Sequence, residues 1–102
     1  MSKIIELWKP ECQDCEAAKP VVEELEKEGY EFEKHNIFDS DGRKIWEEFA
    51  EEIDGFSREN GWEKGYIYTP TFINPRNRNV LAFANRAPTK KELIHLAKNE
   101  KG

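Results

Sequence analysis

The two cysteines of this 102-residue chain form a C-x-x-C pair, Cys12 and Cys15, which constrains the fold more than any other feature. An apolar run precedes the pair and a helical pattern follows it, so the sequence predicts a strand, a short turn and a helix that begins at the cysteines. The unpaired N–H groups and the dipole at a helix N-terminus lower the pKa of a thiol. Since the thiolate is the nucleophile, Cys12 is the predicted attacking thiol. Cys15, one turn deeper, is the predicted resolving thiol, and the two are spaced to form a small disulfide ring.

A zinc site is the main alternative use of a C-x-x-C pair. Structural zinc takes about four ligands, usually from two such pairs or from one pair and histidines. The chain has no other cysteine, and His35 and His95 are far apart in sequence. Redox chemistry is therefore the favoured interpretation and no metal is expected. A zinc ion bridging two chains is the minor alternative.

Several positions around the cysteines resemble the thioredoxin/glutaredoxin superfamily. Trp8 stands four residues before Cys12, where thioredoxins carry a tryptophan, and Glu6 stands six before it, where they carry a buried acidic residue. Pro20 matches the proline that kinks the first helix of the family. Thr69-Pro70-Thr71 resembles the family's cis-proline loop. The resemblance covers most of the chain outside about residues 40–65.

This resemblance implies one thioredoxin-like α/β domain over residues 1–102. The expected order is β-α-β-α-β-β-α around a central four-stranded mixed sheet, because the first strand leads directly into the cysteines. The stretch 40–65 is longer than the matching thioredoxin connection and is predicted to hold the main insertion. The hydropathy pattern places the strands at 3–8, 30–38, 66–74 and 80–84, and the helices at 13–28, from about 40 to 54, and after Thr89. Thr89 and Glu92 have the spacing of a capping box.

The glycine-rich and polar stretch 55–65 is predicted to be a loop. Its two aromatic residues, Phe56 and Trp62, are expected to pack beneath that loop as a satellite cluster. Exposure of both rings as partner contacts is the alternative.

The resemblance also implies roles at the site. Glu6 would be a partly buried proton acceptor for Cys15, because burial raises the pKa of a carboxyl group, and a solvated carboxylate at a strand edge is the alternative. Trp8 is expected beside the disulfide. Thr69 and a cis Pro70 would present backbone to an extended substrate peptide.

Two further features bear on substrate choice. Arg86-Ala87 replaces the Gly-Ala of thioredoxins, which places bulk and positive charge at the expected substrate rim and suggests a narrower or acidic set of partners. Asp14 lies in the first turn of the helix, where its charge opposes a thiolate at Cys12. The pair is therefore predicted to be less oxidising than a motif that holds a histidine or lysine.

The first hypothesis is a thiol–disulfide oxidoreductase that reduces protein disulfides without a bound cofactor. Its electron donor would be a thioredoxin reductase-like enzyme or glutathione. A glutathione-dependent glutaredoxin is the alternative enzyme, permitted by Lys9 and Thr69-Pro70, although Asn85-Arg86 replaces the glycine pair that helps hold glutathione. A redox-sensing, partner-binding module with little turnover is a third hypothesis, and a metal or iron–sulfur carrier is the last.

Composition limits the partners. The net charge is −5, and no basic cluster interrupts the mixed charges, which argues against nucleic-acid binding. No apolar run is long enough to span a membrane, and the N-terminal residues do not form a secretory signal. The sequence thus predicts a cytoplasmic monomer, and in that compartment a cysteine pair is more often catalytic or sensing than structural.

Overall fold

The computed structural model describes residues 3–63 and 65–98. Within them the chain forms a mixed sheet of four strands in the order β2-β1-β3-β4. Strands β1 and β2 are parallel, and β3 is antiparallel to both β1 and β4. The predicted α/β class and four-stranded mixed sheet are confirmed. The elements are β1 (Lys3–Trp8), α1 (Gln13–Lys27), β2 (Glu31–Asn36), α2 (Ser40–Glu48), α3 (Ala50–Glu59), β3 (Thr71–Asn74), β4 (Asn79–Ala82) and α4 (Lys90–Lys98).

Strand β1 lies in the middle of the sheet and is buried on both faces. Because successive side chains of a strand point to opposite faces, Ile4 and Glu6 share one face, and Ile5 and Leu7 share the other. Ile4 packs in a core with α1 and α4. Ile5 and Leu7 pack in a second core with α2 and α3. The alternation therefore places Glu6 on the side of the sheet that α1 covers.

Each face of the sheet has its own apolar core. The core on the α1 and α4 face contains Ile4, Ala18, Val22, Leu25, Phe72, Phe83, Leu93, Leu96 and Ala97. The core on the opposite face contains Ile5, Leu7, Ile37, Phe49, Ile53, Ile67 and Ile73. Helices thus cover both faces, as is usual for a sheet whose central strand is apolar on both sides.

The helical segment after β2 differs from the prediction. It bends at Phe49 into α2 and α3, and α3 continues through Gly55 to residue 59, so the predicted loop start at residue 55 is wrong. Burial of Ile53 and Ser57, one turn apart, keeps the inner side of the helix against the core beyond the glycine. Gly55 is tolerated because one buried helical face outweighs its lower helix propensity. Of the stretch 40–65, only Lys64 lies outside the described residues.

Strands β3 and β4 are shorter than predicted. Strand β3 begins at Thr71 rather than at residue 66, and β4 ends at Ala82 rather than at residue 84. Pro70 has no N–H group for a ladder bond, so regular pairing starts only after the proline. The Thr69-Pro70 peptide bond is cis. The predicted cis isomer is confirmed.

Helix α4 begins with the predicted capping box. The Thr89 N–H donates to Glu92 Oε1 at 3.0 Å, and the Glu92 N–H donates to Thr89 Oγ1 at 3.2 Å. Hydrogen bonding from the Arg86 guanidinium and, more weakly, from Thr89 lowers the pKa of Glu92 to about 2. Among residues 3–63 and 65–98, no helix has the length and apolar character needed to cross a membrane.

Candidate functional site

Cys12 and Cys15 form a disulfide at the N-terminus of α1. Cys12 is the N-cap residue, with an extended backbone, and its Sγ accepts a hydrogen bond from the Cys15 N–H at 3.1 Å. A capping atom lies where the free N–H groups of the first turn converge. After reduction, the same geometry would hold a negatively charged sulfur at Cys12.

The loop before β3 brings Thr69 against the disulfide, 57 residues from Cys12 in sequence. The Thr69 Oγ1 lies 3.3 Å from Cys12 Sγ, and the Thr69 carbonyl oxygen lies 3.6 Å from it. Thr69 and the cis Pro70 are both buried. The structure therefore brings together Cys12, Thr69 and Pro70, all of which were predicted site residues.

A shallow groove of about 440 Å³ opens over Cys12. Its charged lining residues are Glu11, Asp14 and Lys9, and its uncharged ones besides Cys12 are Gln13, Thr69 and Asn85. Cys12 itself is only 8% exposed, so its sulfur lies at the floor of the groove. Any molecule that reacts with this sulfur would have to enter the groove to reach it.

Asp14 ties the first turn of α1 to the loop between β4 and α4. The Asn85 N–H donates to Asp14 Oδ2 at 2.8 Å, across 71 residues of sequence. Asn85 has a positive φ of 67°, a left-handed conformation that asparagine adopts more readily than most residues. This contact was not predicted, because sequence analysis considered Asp14 only for its effect on the Cys12 charge.

Glu6 is a buried carboxyl group, with 6% of its surface exposed. Its side chain makes no hydrogen bond to any other residue in the described part of the chain. Burial raises the pKa of Glu6 to about 7, and the positive charge of Lys34 opposes that shift. Lys34 is the cross-strand partner of Glu6 in the β1–β2 pairing. The sequence reasoning missed Lys34, although the parallel pairing of residues 3–8 with 31–36 would have placed it there.

Glu6 and Cys15 line the same cavity, on the α1 side of the sheet. This cavity has a volume of about 440 Å³ and is also lined by Trp8 and Lys34. Two separate openings therefore serve the disulfide. Cys12 faces the groove with Thr69, and Cys15 faces the cavity with Glu6.

Arg86 and Ala87, which were predicted to contact the substrate, do not line the groove over Cys12. The Arg86 guanidinium donates to both carboxylate oxygens of Glu92, at 2.7 and 3.0 Å, and stacks 4.8 Å above the Phe83 ring. It lines a third cavity of about 290 Å³, and the loop residue in the lining of the Cys12 groove is Asn85 instead. The Ala87 carbonyl accepts a hydrogen bond from Arg86. A substrate contact by either residue stays a prediction.

The two aromatic residues of the stretch 55–65 pack together and against two tyrosines that follow it. Phe56 and Trp62 meet edge to face with ring centroids 5.7 Å apart, and Trp62 lies 4.6 Å from Tyr68. Tyr66 extends the cluster at 5.0 Å from Tyr68 and is 48% exposed. Phe56 and Trp62 therefore pack against each other as predicted, but Phe56 belongs to α3 rather than to a loop, and both rings are half-buried.

Residues 3–63 and 65–98 contain no group of three or more His, Cys, Asp or Glu side chains arranged to hold a metal ion. Comparisons with protein-family models, with curated proteins and with solved structures find no match for this chain. The interpretation of the site therefore rests on its own geometry.

Proposed function

We propose that this protein is a thioredoxin-like thiol–disulfide oxidoreductase that reduces disulfides in protein substrates. The observation that carries the proposal is the Cys12–Cys15 disulfide at a helix N-terminus, with Cys12 beneath an open groove and Thr69 within 3.6 Å of its sulfur. A disulfide placed there is accessible to a partner, and the helix terminus stabilises the thiolate that forms when it is reduced.

The reaction proceeds in two exchanges. The Cys12 thiolate of the reduced protein attacks one sulfur of the substrate disulfide, and the other substrate sulfur leaves as a thiolate and takes up a proton. Cys15 then loses its proton and attacks Cys12 Sγ in the mixed disulfide, which releases the second substrate thiol. Two electrons pass to the substrate and the Cys12–Cys15 disulfide forms. A reductase or a small thiol such as glutathione supplies the electrons for the next cycle.

The Cys15 N–H and the Thr69 hydroxyl are the groups that support the first exchange. The Cys15 N–H already points at Cys12 Sγ, and hydrogen bonds to a charged atom are stronger than those to a neutral one. The Thr69 hydroxyl, 3.3 Å away, is a second possible donor to the same sulfur. Both groups favour the thiolate over the thiol at Cys12.

Glu6 supports the second exchange. Its pKa of about 7 leaves a substantial fraction as carboxylate at neutral pH, and it shares a cavity with Cys15. A base with a pKa near the working pH is suited to accept the Cys15 proton as that thiol attacks. The cytoplasmic location and the monomeric state remain predictions of the sequence.

Cysteine variants test the mechanism directly, because Cys12 and Cys15 are the only thiols in the chain. In an insulin-reduction assay with dithiothreitol as the electron donor, Cys12→Ser should lose activity. Cys15→Ser should accumulate a mixed disulfide that mass spectrometry detects. An active Cys12→Ser variant would contradict the mechanism. Slow turnover of insulin by the wild type, with stable capture of one partner by Cys15→Ser, would instead favour a redox-sensing module.

A further inference from the structure

The charged residues that line the groove over Cys12 come from the turn before α1 and from its first helical turn, and Arg86 is not among them. Among the side chains that line the groove, Glu11 and Asp14 are carboxylates and Lys9 is the ammonium group. The Arg86 guanidinium is paired with Glu92 and stacked on Phe83, outside this lining. A substrate at Cys12 therefore meets two negative side chains and one positive side chain.

Asp14 also occupies a backbone donor at the rim of the same groove. The Asn85 N–H belongs to a residue of the groove wall, and it already donates to Asp14 Oδ2 at 2.8 Å. A substrate carboxylate cannot use this donor without displacing Asp14. The hydrogen bond ties Asn85, whose backbone is left-handed, to the helix that begins at Cys12.

We propose that Asp14 determines which disulfides this groove accepts. It positions the Asn85 wall, and its charge makes the groove favour neutral and cationic peptide disulfides over anionic ones such as glutathione disulfide. This inference rests on the proposed function and deepens it by naming the substrate class. It reverses the preference for acidic partners that Arg86 suggested in the sequence. Asp14 touches no reacting atom, so its role is to position and select.

Every substrate undergoes the same thiol–disulfide exchange, and Asp14 affects only how fast each one reacts. The reduced pair and one substrate disulfide give the Cys12–Cys15 disulfide and two substrate thiols. The difference between substrates lies in their approach, because the two carboxylates of Glu11 and Asp14 outnumber the one ammonium group of Lys9 and so favour a cationic peptide over an anionic one. Both carboxylates are in contact with water, so salt should weaken the preference.

The first test measures second-order rate constants of the fully reduced wild type with four disulfides. Three are small peptides that differ only in a lysine, glutamine or glutamate beside the half-cystine, and the fourth is glutathione disulfide. The lysine peptide should react fastest, and the glutamate peptide and glutathione disulfide slowest, with a spread of about fivefold to tenfold at low salt. The spread should shrink in 0.5 M salt.

Two substitutions of Asp14 separate its charge from its hydrogen bond. Asp14→Asn keeps an oxygen that can accept from Asn85 and removes the charge, so the preference for the lysine peptide should fall by about twofold to fivefold. Asp14→Ala also frees the Asn85 wall, so KM should rise for all three peptides. Asp41→Asn is the matched control, because Asp41 is an exposed first-turn aspartate of α2. Asp41→Asn should leave both the preference for the lysine peptide and the KM values unchanged.

A second readout does not require turnover. In the Cys15→Ser background, Cys12 is the single thiol, and its alkylation by neutral iodoacetamide can be compared with that by anionic iodoacetate. Asp14→Asn should raise the iodoacetate rate relative to the iodoacetamide rate by about twofold to fivefold. A merely structural role would change both rates together.

Equal rates for the three peptides, or an alkylation ratio that Asp14→Asn leaves unchanged, would overturn the inference. Insulin reduction that depends on Cys12 would leave the proposed function standing in that case. If the wild type reduces no disulfide, the proposed function fails, and the inference about substrate class fails with it.

Discussion

The two faces of the sheet differ in the side chains that β1 buries on them. The α2 and α3 face presents Ile5 and Leu7 of β1 to a core of apolar side chains. On the α1 and α4 face, the same strand places Glu6 beside a cavity of about 440 Å³ that reaches Cys15. Burial of an unpaired carboxyl group is unfavourable, so the second face gives up stability at the place where the proposed chemistry needs a base.

The largest effect is expected on the α2 and α3 face. Phe49 is buried at the junction of the two helices, and the Arg78 guanidinium lies 4.3 Å above its ring. Phe49→Ala should lower the free energy of unfolding by about 3–5 kcal/mol, because it leaves a cavity in the core. Chemical denaturation followed by circular dichroism measures this change. Phe38→Ala is the matched control, since that ring is 60% exposed. A loss of stability as small as that of the control would show that Phe49 is not a main contributor to the core on the α2 and α3 face.

The next effect concerns Glu6 and depends on pH. The folded protein keeps the Glu6 proton up to a pH of about 7, whereas the unfolded chain releases it near 4.5. The contribution of Glu6 to the free energy of unfolding should therefore fall as pH rises between these values, by about 3 kcal/mol in all, and become level about one pH unit above the folded pKa. Glu6→Gln should remove this dependence in urea unfolding curves recorded from pH 4 to 8.

The variant Glu6→Leu tests the effect of Glu6 on stability separately from its effect on activity. The variant should be more stable than the wild type at pH 8, because no buried charge remains, and its second exchange step should be slower. Stopped-flow decay of the mixed disulfide reports that step. Glu23→Gln is the control, since Glu23 is an exposed carboxylate that lines the same cavity. A Glu6→Leu variant with wild-type kinetics would remove Glu6 from the mechanism.

A smaller effect is expected at Gly42, where α2 approaches the end of β2. A Cβ atom at this position would lie 2.0 Å from the Asn36 carbonyl oxygen, so the backbone has to move to accept it. Gly42→Ala should cost about 1–3 kcal/mol in urea unfolding and leave the alkylation rate of Cys12 unaltered. Gly61→Ala is less suitable as a control, because Gly61 has a positive φ. Lys44→Ala, at an exposed position of the same helix, serves instead.

The smallest effect is expected at the start of α4, on the same face as Glu6 but in the capping box. Thr89→Ala should cost about 1 kcal/mol at neutral pH, because it removes the cap of Glu92 N–H. The low pKa of Glu92, held mainly by Arg86, means that its contribution is present above about pH 4.5 and is lost as pH falls towards 2. Thermal unfolding of wild type and Thr89→Ala at pH 7 and pH 2.5 measures the stability lost in the variant and the part of it that depends on ionised Glu92. A larger loss at pH 2.5 than at pH 7 would contradict this account.

Much of the region around the cysteines could be predicted because its determinants are local. Strand β1 runs from residue 3 to 8 as expected, and α1 ends within one residue of the predicted bound. The capping box at Thr89 was also found from spacing alone. Each of these features depends on residues a few positions apart, where hydropathy period and capping chemistry act directly.

The prediction was weaker where local signals conflict with packing. Gly55 is a common sign of a loop, yet it lies inside α3 because Ile53 and Ser57 on the same helix are buried. Burial of a helical face contributes more than the cost of one glycine, which is about 1 kcal/mol. The sequence does not show which side of that segment the sheet will cover.

Residues close together in the chain were enough to predict the cysteine pair at a helix start and the alternation that places Glu6 on one face of the sheet, and the resemblance to a family implied the cis-proline loop. How these parts meet in space could not be predicted in this way. The tertiary structure paired Arg86 with Glu92 away from the cysteines, joined Asp14 to Asn85 across 71 residues and set Lys34 beside Glu6. The physical reason is that charge pairs and hydrogen bonds act over a few ångströms. Which distant residues come that close depends on the order and register of the strands.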